Sequence, residues 1–161
     1  MSFNTERYPG VATNAPAESV GFRLNHTMLR IKDPERSLAF YTGIMGMRVL
    51  RRLDFEEMQF SLYFLARPDG NDQIPESQEE RSSEKDPEVS YHDGNSEPQG
   101  FGHICFAVPN LEEAIAWFDR NGVEYVKRPE DGKIKDIAFI RDPDGYWIEI
   151  LEPERMAQLG N

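Results

Sequence analysis

Two stretches of the chain repeat the same order of residue types 77 positions apart. When His26 is placed over His103, an apolar stretch, an acidic residue and an aromatic pair coincide in both copies. The other matching residues are Glu35 with Glu112, Leu38 with Ile115, Ala39 with Ala116, and Phe40-Tyr41 with Trp117-Phe118. The repeat indicates one structural unit used twice, in a chain of 161 residues that suffices for one compact domain or two small fused units.

Each copy is predicted to begin with a strand and to continue into a helix. Apolar stretches at residues 28–31 and 104–108 are typical of strands, and each is followed by a dipeptide that contains proline. Apolar side chains then recur at helical spacing from Leu111 to Phe118, and Asp33 and Asn110 are suitable N-caps for the two helices. Further strands are predicted at residues 47–53, 60–65, 123–126, 137–140 and 146–151. The second copy therefore reads βαβββ.

The first copy departs from this pattern after its turn at residues 67–70. The matching turn at residues 142–145 leads into a strand, whereas residues 71–75 lead into a Glu- and Ser-rich stretch with almost no apolar side chains. We therefore predict an α+β fold of two paired βαβββ modules, the first lacking its last strand. The predicted organisation is a flexible N-terminal segment (1–20), an incomplete first module (21–66), an acidic insert and linker (67–100) and a second module (101–154).

Charge and composition exclude two classes of partner. The formal net charge is −11, and residues 67–97 alone carry ten acidic against three basic side chains, so we expect no nucleic-acid partner. The chain has no run of about 18 apolar residues and no basic, apolar leader, so we expect no membrane association. The single cysteine, Cys105, cannot form an internal disulfide and fits a reducing compartment, so the expected location is cytoplasmic.

Two of the three histidines occupy the same position in the two copies. His26 and His103 both lie early in the first strand, and a pseudo-twofold arrangement of the copies would bring equivalent side chains together. A lone histidine on a strand is more often structural, but the symmetry of this pair favours a role as metal ligands. His92 lies in the acidic segment and is interpreted as a solvated loop residue.

Glu149 is the carboxylate that best completes such a site. By strand alternation it shares a side with Trp147 and Leu151 and lies opposite Ile148 and Ile150, on a largely apolar strand where an unpaired carboxylate is costly to bury. An ion pair or an edge position would explain it, but a metal shared with both histidines explains it better. Two imidazoles and a carboxylate suit zinc, nickel, iron or manganese, and residue types alone do not choose among them. Cys105 is assigned a packing role rather than a ligand role.

Three basic residues near predicted strand ends are candidates for holding an anionic substrate. Arg30, Lys127 and Lys133 have this placement, although each taken singly is more often a surface charge. No phosphate-binding loop and no Ser-His-Asp arrangement is present in the sequence.

Four motifs together resemble glyoxalase I, the lactoylglutathione lyase family. They are NHTMLR at residues 25–30, FSLYFL at 60–65, GFGHI at 100–104 and DPDGYWIE at 142–149. The resemblance extends from about residue 24 to residue 156. It implies the vicinal oxygen chelate fold, which is built from paired βαβββ units.

The resemblance also implies an activity and a site. The family isomerises the hemithioacetal of glutathione and methylglyoxal to S-lactoylglutathione, through an enediolate, in methylglyoxal detoxification. By motif, His26, His103 and Glu149 would be metal ligands, and Glu149 would also be the catalytic base. Arg30, Lys127 and Lys133 would be the substrate-binding residues that hold glutathione carboxylates. The insert before the second unit resembles the zinc-using branch, with nickel as the alternative, and the implied assembly is a homodimer with a site shared between subunits.

One family feature is missing from the sequence pattern. The fourth metal ligand is a glutamate on the last strand of the first unit, within Leu-Glu-Leu-Thr-His-Asn, and this stretch is absent. Solvent or Glu88 would then fill the vacancy. The alternatives are an inactive or altered relative that binds metal or thiol conjugates, or an iron-dependent dioxygenase on the same fold. A sequence from which a segment has been omitted would explain the same gap.

Overall fold

The two copies fold into two modules with the same order of elements. The computed structural model describes residues 16–67, 78–83 and 90–156, with the backbone alone at 78–83. The first module contains β1 (Thr27–Ile31), α1 (Pro34–Leu38), a π-helical turn (Ala39–Ile44), β2 (Arg48–Phe55), β3 (Phe60–Ala66) and β4 (Gln78–Ser83). The second contains β5 (His103–Ala107), α2 (Leu111–Arg120), β6 (Tyr125–Lys127), β7 (Ile137–Arg141), β8 (Trp147–Leu151) and the terminal α3 (Pro153–Met156). Short 3-10 turns occupy Ala17–Ser19 and Glu56–Met58.

Both sheets have the same topology. The strand order is β1-β4-β3-β2 in the first sheet and β5-β8-β7-β6 in the second. In each sheet the first strand pairs in parallel with the last, and the remaining pairs are antiparallel. This repeated order confirms the predicted α+β fold of paired βαβββ modules.

The prediction that the first module lacks its last strand is wrong. Residues 78–83 form β4, which lies between β1 and β3 and pairs with both. Without a strand in this central place, β1 would be separated from the sheet and two rows of backbone groups would lose their partners. The sequence did not reveal β4 because Gln-Glu-Glu-Arg-Ser-Ser has no apolar alternation. β4 lies inside the segment predicted as an acidic insert.

The helices begin where the sequence predicted. The Asp33 side chain accepts hydrogen bonds from the backbone amides of Glu35 and Arg36, and Asn110 accepts one from Glu113. In α2, Leu111 and Phe118 are buried, and Ala114 and Ile115 pack against the same core. Among the described residues, no helix is both long and apolar enough to cross a bilayer.

One hydrophobic core joins the two modules. It contains side chains from both sheets and both longer helical segments, including Ile31, Tyr41, Leu65, Phe118 and Ile148. Burial alternates along the strands, so each sheet turns one side toward this core and leaves its other side partly exposed. The partly exposed sides are the ones available for a binding site.

The turn at residues 142–145 connects the second module to the first by polar contacts. The Tyr41 hydroxyl donates to Asp142 Oδ2 at 2.7 Å, and both residues are buried. Asp144 accepts from the Lys32 amide at 2.8 Å and from the Ser37 hydroxyl at 2.9 Å. The turn therefore packs against the first helix of the other module while leading directly into β8.

The loop before β5 depends on a glycine. Gly94 has φ of 85°, and a Cβ added there would lie 1.9 Å from the carbonyl oxygen of Phe101. The same loop is closed by a hydrogen bond from the Gly100 amide to the Gly94 carbonyl at 2.9 Å. Any side chain at position 94 would push the chain away just before His103.

The substitution Asp142→Asn is expected to change the pH dependence of stability. Burial raises the pKa of Asp142 to about 6, so the folded state holds the carboxyl proton of Asp142 more tightly than the unfolded chain does. The stabilisation that comes from holding this proton is fully present below the pKa of Asp142 in the unfolded chain. It is lost as the pH rises through about 6. Urea unfolding between pH 4 and 8 should show D142N gaining stability relative to wild type as pH rises. Tyr41→Phe removes a hydrogen bond that lowers the pKa of Asp142, so this variant should lose more stability than wild type as pH rises. If the stability of wild type and of D142N changed with pH in parallel, the raised pKa would not belong to Asp142.

The substitution Gly94→Ala is expected to destabilise the protein by about 2 kcal/mol or more, because it combines a clash with a left-handed backbone. Gly100→Ala is the matched control, since an added Cβ there meets no atom within 4 Å. Thermal or urea unfolding of both variants measures the difference. Equal stability of the two variants would show that the loop adapts to a side chain at position 94.

Candidate active site

The partly exposed side of the second sheet carries the candidate catalytic residues. Along β8, Ile148 and Ile150 are fully buried in the core, whereas Trp147, Glu149 and Leu151 alternate with them on the other side. Glu149 thus shares its side with Trp147 and Leu151, as the sequence predicted. This alternation brings the carboxylate to a surface that is apolar but open to solvent.

His103 and Glu149 form a direct pair on this surface. Because β5 and β8 are parallel, with His103 opposite Trp147 and Cys105 opposite Glu149, the two side chains are diagonal neighbours. His103 Nε2 lies 3.1 Å from Glu149 Oε2. The His103 side chain is 39% exposed and the Glu149 side chain only 16% exposed. An imidazole nitrogen and a carboxylate oxygen in contact, on an accessible surface, provide two donors of the kind that divalent ions bind.

Aromatic rings pack along one side of the His103–Glu149 pair and form a wall there. The His103 ring packs edge to face on Phe139, with centroids 5.2 Å apart, and Phe139 contacts Trp147 at 5.7 Å. Trp147 Nε1 is buried with no hydrogen-bond partner among the described residues. Sequence reasoning did not single out Phe139 as part of the site, because its strand pattern shows only that it lies opposite the core-facing residues. The wall restricts the imidazole and limits the water that reaches the carboxylate.

Cys105 lies on the same side but is exposed rather than packed as expected. Although the residue is exposed, its thiol is partly desolvated, and this desolvation, followed by the charge of Glu149, raises the pKa of Cys105 to about 11. The thiol therefore stays protonated at neutral pH, and a protonated thiol is a poor metal ligand.

His26 does not join the pair within one chain. It is exposed in the extended segment just before β1, and its Nδ1 lies 2.6 Å from Asn25 Oδ1. Across residues 16–67 and 90–156, no three His, Cys, Asp or Glu side chains come close enough together to hold a metal ion. The structure thus brings together two of the three predicted ligands and leaves the third in the other module.

The register of β4 supplies an equivalent of Glu149 in the first module. In the second sheet, Glu149 pairs with the second residue after His103. In the first sheet, Glu79 pairs with the second residue after His26. The two glutamates therefore hold the same position relative to the histidine of their own module. The repeat did not indicate Glu79 because it stands nine residues after Gly70 in the sequence, whereas Glu149 stands four residues after Gly145.

The three predicted substrate-binding residues have different surroundings. Arg30 is exposed on β1, and Lys133 is exposed in the loop between β6 and β7. Lys127 Nζ donates to the carbonyl oxygens of Ile137 at 2.9 Å and Arg128 at 3.2 Å, so its ammonium already binds backbone. Glu88, the substitute ligand considered from the sequence, lies outside the described residues.

Proteins whose sequences are similar to this chain are named as glyoxalases or lactoylglutathione lyases. Residues 23–150 match the model of the Glyoxalase/Bleomycin resistance protein/Dioxygenase superfamily. Lactoylglutathione lyase of Pseudomonas aeruginosa is 48% identical over 177 positions, which cover 99% of each chain. Lactoylglutathione lyase of Pseudomonas putida is 41% identical, over 95% of this chain and 98% of its own. Since the alignment with the first relative is longer than this chain of 161 residues, at least 16 of its positions have no counterpart here.

A solved structure agrees with these matches. The trypanothione-dependent glyoxalase I of Leishmania major superposes with a TM-score of 0.66 at 31% identity, covering 86% of this chain and 92% of that one. The resemblance expected from the four sequence motifs is confirmed by the family match, by the relatives and by this fold. The chain belongs to the Glyoxalase/Bleomycin resistance protein/Dioxygenase superfamily.

Proposed function

We propose that this protein is a lactoylglutathione lyase, a carbon–sulfur lyase that isomerises the glutathione–methylglyoxal hemithioacetal to S-lactoylglutathione. The observation that carries the proposal is the 3.1 Å contact between His103 Nε2 and Glu149 Oε2 on the open side of a family sheet. Relatives named lactoylglutathione lyase at 48% and 41% identity over nearly the whole chain support it. This agrees with the function predicted from the sequence.

Glu149 is the residue suited to move the proton. The reaction shifts one hydrogen from the carbon that bears sulfur to the neighbouring carbon, while a second proton passes between the two oxygens. A carboxylate that takes the first proton from one carbon and returns it to the next suffices for the carbon step. The Glu149 side chain is only 16% exposed, and its strand neighbour Phe139 packs on Trp147, so little water would compete with a substrate for its oxygens.

His26, His103 and Glu149 would hold a divalent ion, zinc by the family resemblance and nickel as the alternative. When bound, such an ion supplies positive charge that stabilises negative charge on the substrate oxygens. The contact between His103 and Glu149 fits this role, because both donors already meet at one accessible point.

A homodimer would complete the site. His26 lies in the first module and the His103–Glu149 pair in the second, and they form no common cluster within the described part of one chain. Pairing the open side of the first sheet with the open side of a partner's second sheet would bring the two half-sites together. It would also cover the half-exposed aromatic residues Phe60, Phe64 and Phe139.

Glu79 is the candidate for the fourth ligand, on register alone. It holds in the first module the position that Glu149 holds in the second. A second glutamate would give the His2Glu2 donor set that the family resemblance implies. Arg30, Lys127 and Lys133 remain the candidates for binding the glutathione carboxylates, and a cytoplasmic location remains a prediction.

An iron-dependent dioxygenase is the second candidate, because two histidines and one carboxylate are also the donors of a non-haem iron site. It differs from the lyase in needing oxygen. Stoichiometric iron in the purified protein, with oxygen uptake on catechols and no lyase rate, would favour it over the lyase.

The substitution Glu149→Gln is expected to lower the lyase rate by about a factor of 100 or more, because the amide cannot accept the proton. The assay follows thioester absorbance with glutathione, methylglyoxal and zinc present, and the wild-type rate must exceed the metal-free control. Glu154→Gln, which changes an exposed glutamate in α3, is the matched control and should keep the wild-type rate. A wild-type rate in E149Q would refute the assigned base, and no rate in wild type would refute the lyase itself.

The substitution Glu79→Gln is expected to weaken zinc binding by roughly tenfold or more, because a ligand carboxylate is lost. Glu154→Gln, the exposed glutamate in α3, is the control and should keep the wild-type affinity. Affinity is measured by competition with a chromophoric chelator. Equal affinities in the two variants would remove Glu79 from the site and leave the roles of His26, His103 and Glu149 unaffected.

A further inference from the structure

The loop of residues 90–102, which leads into β5, contains a histidine whose ring hydrogen is placed by the backbone. The Gly94 amide donates to His92 Nδ1 at 2.9 Å. A backbone amide only donates, so Nδ1 must carry a lone pair rather than a hydrogen. In a neutral imidazole the hydrogen then lies on Nε2, where the Ser96 hydroxyl oxygen lies 3.3 Å away. Although His92 is exposed, both of its ring nitrogens are engaged.

Two successive side chains close turns in this loop. His92 accepts from the amide two residues later, and Asp93 Oδ1 accepts in the same way from the Asn95 amide at 2.8 Å. Side-chain acceptors of this kind commonly fix the backbone of a turn. Asp93 Oδ2 also lies 3.6 Å from Arg141 Nη1, and Arg141 pairs with Trp147 of β8. The loop is therefore connected to β7 and β8.

The backbone held by these turns continues to His103. The Gly94 carbonyl accepts from the Gly100 amide at 2.9 Å. Asn95 Nδ2 donates to the carbonyl of Gly102 at 2.6 Å, and residue 102 directly precedes His103. The position of His103 at the start of β5 thus depends on the turns that close the loop.

We propose that His92 is a positioning residue for His103. As the neutral Nε2–H tautomer it holds the Gly94 amide, and thereby the loop that ends at His103. A second proton on the ring would lie on Nδ1 and face the hydrogen of the Gly94 amide, so this bond would be lost. Histidine ordinarily takes up that proton between pH 5 and 8, so the loop should loosen in mild acid. His92 needs no contact with substrate, and its effect on the rate rests on the proposed function, whereas the turn does not.

Other groups near the turn also titrate. The loop and the strand beside it carry Tyr91, Asp93, Glu97 and Arg141. Phenols, carboxylates and guanidinium groups ordinarily change charge outside the range from pH 5 to 7.5. Two further groups compete with His92 inside this range: the histidine that follows the loop, His103, and Asp142, whose pKa burial raises to about 6. A variant with an acceptor that does not titrate separates His92 from both.

Hydrogen exchange of the Gly94 amide tests the turn. After correction for the intrinsic pH dependence of exchange, its protection in wild type should fall roughly tenfold between pH 7.5 and 5, the effect of one hydrogen bond. His92→Asn keeps an acceptor for the same amide but does not titrate, so the protection should stay constant. His92→Leu has no acceptor and should show low protection at both pH values. The Glu113 amide, which donates to Asn110 Oδ1 at 2.8 Å, is the internal reference.

The ring signals of His103 test the positioning. In nitrogen-15 correlation spectra of the metal-free protein at pH 7.5, they should shift in H92L and return to the wild-type position in H92N. With zinc present, the kcat of H92L for the lyase reaction should be roughly tenfold below that of wild type, because a displaced site reacts more slowly. H92N should recover most of that rate.

The outcomes are distinguishable. Gly94 protection that does not change with pH in wild type, or that changes equally in H92N, would overturn the proposal, and this comparison stands even if H92L does not fold. Unchanged His103 signals in H92L would also overturn it, and so would a wild-type kcat despite shifted signals. If wild type had no lyase rate, the proposed function would fail, and hydrogen exchange and the ring signals would still decide the role of His92.

Discussion

The parallel pairing of the first and last strands in each module determines where the functional groups of this protein meet. In the second module this pairing places Glu149 diagonally opposite His103, close enough for a 3.1 Å contact. A shift of one residue would turn Glu149 into the core and expose an isoleucine in its place. The core residues Ile148 and Ile150 therefore stabilise the register on which the site depends. Packing on the core side of the sheet therefore determines which side chains meet on its open side.

The same turn that joins the modules also leads into β8, the strand that carries Glu149. Asp142 and Asp144 bind the first helix of the other module, and β8 begins three residues after Asp144. Burying Asp142 is costly, and the hydrogen bonds from Tyr41, Tyr146 and the Asp144 amide offset part of that cost. Hydrogen bonds require particular donors and acceptors to meet. These contacts therefore specify how the two modules are oriented more strictly than apolar contacts would.

Residue patterns predicted those parts of the fold that depend on local sequence. The repeat identified His26 and His103 as equivalents, alternation placed Glu149 opposite the core, and the caps Asp33 and Asn110 marked the helix starts. β4 was missed because its side chains are polar and its place is set by backbone pairing with two other strands. Glu79 was missed for a different reason, because it stands nine residues after Gly70, whereas Glu149 stands four residues after Gly145. Contacts such as Tyr41 with Asp142 join residues about 100 positions apart, and no periodicity encodes them.

The separation of the candidate ligands follows from the way the modules are joined. Each sheet uses its buried side for the common core, so the sides that carry His26 and the His103–Glu149 pair are both left partly exposed. A site that used all three residues within one chain would require these open sides to face each other, and the shared core prevents this. Two chains can satisfy both requirements, because the first sheet of one can face the second sheet of the other without disturbing either core. The repeat then explains the symmetry of the candidate ligands, and the core explains why the candidate ligands among the described side chains lie on two separate surfaces of one chain.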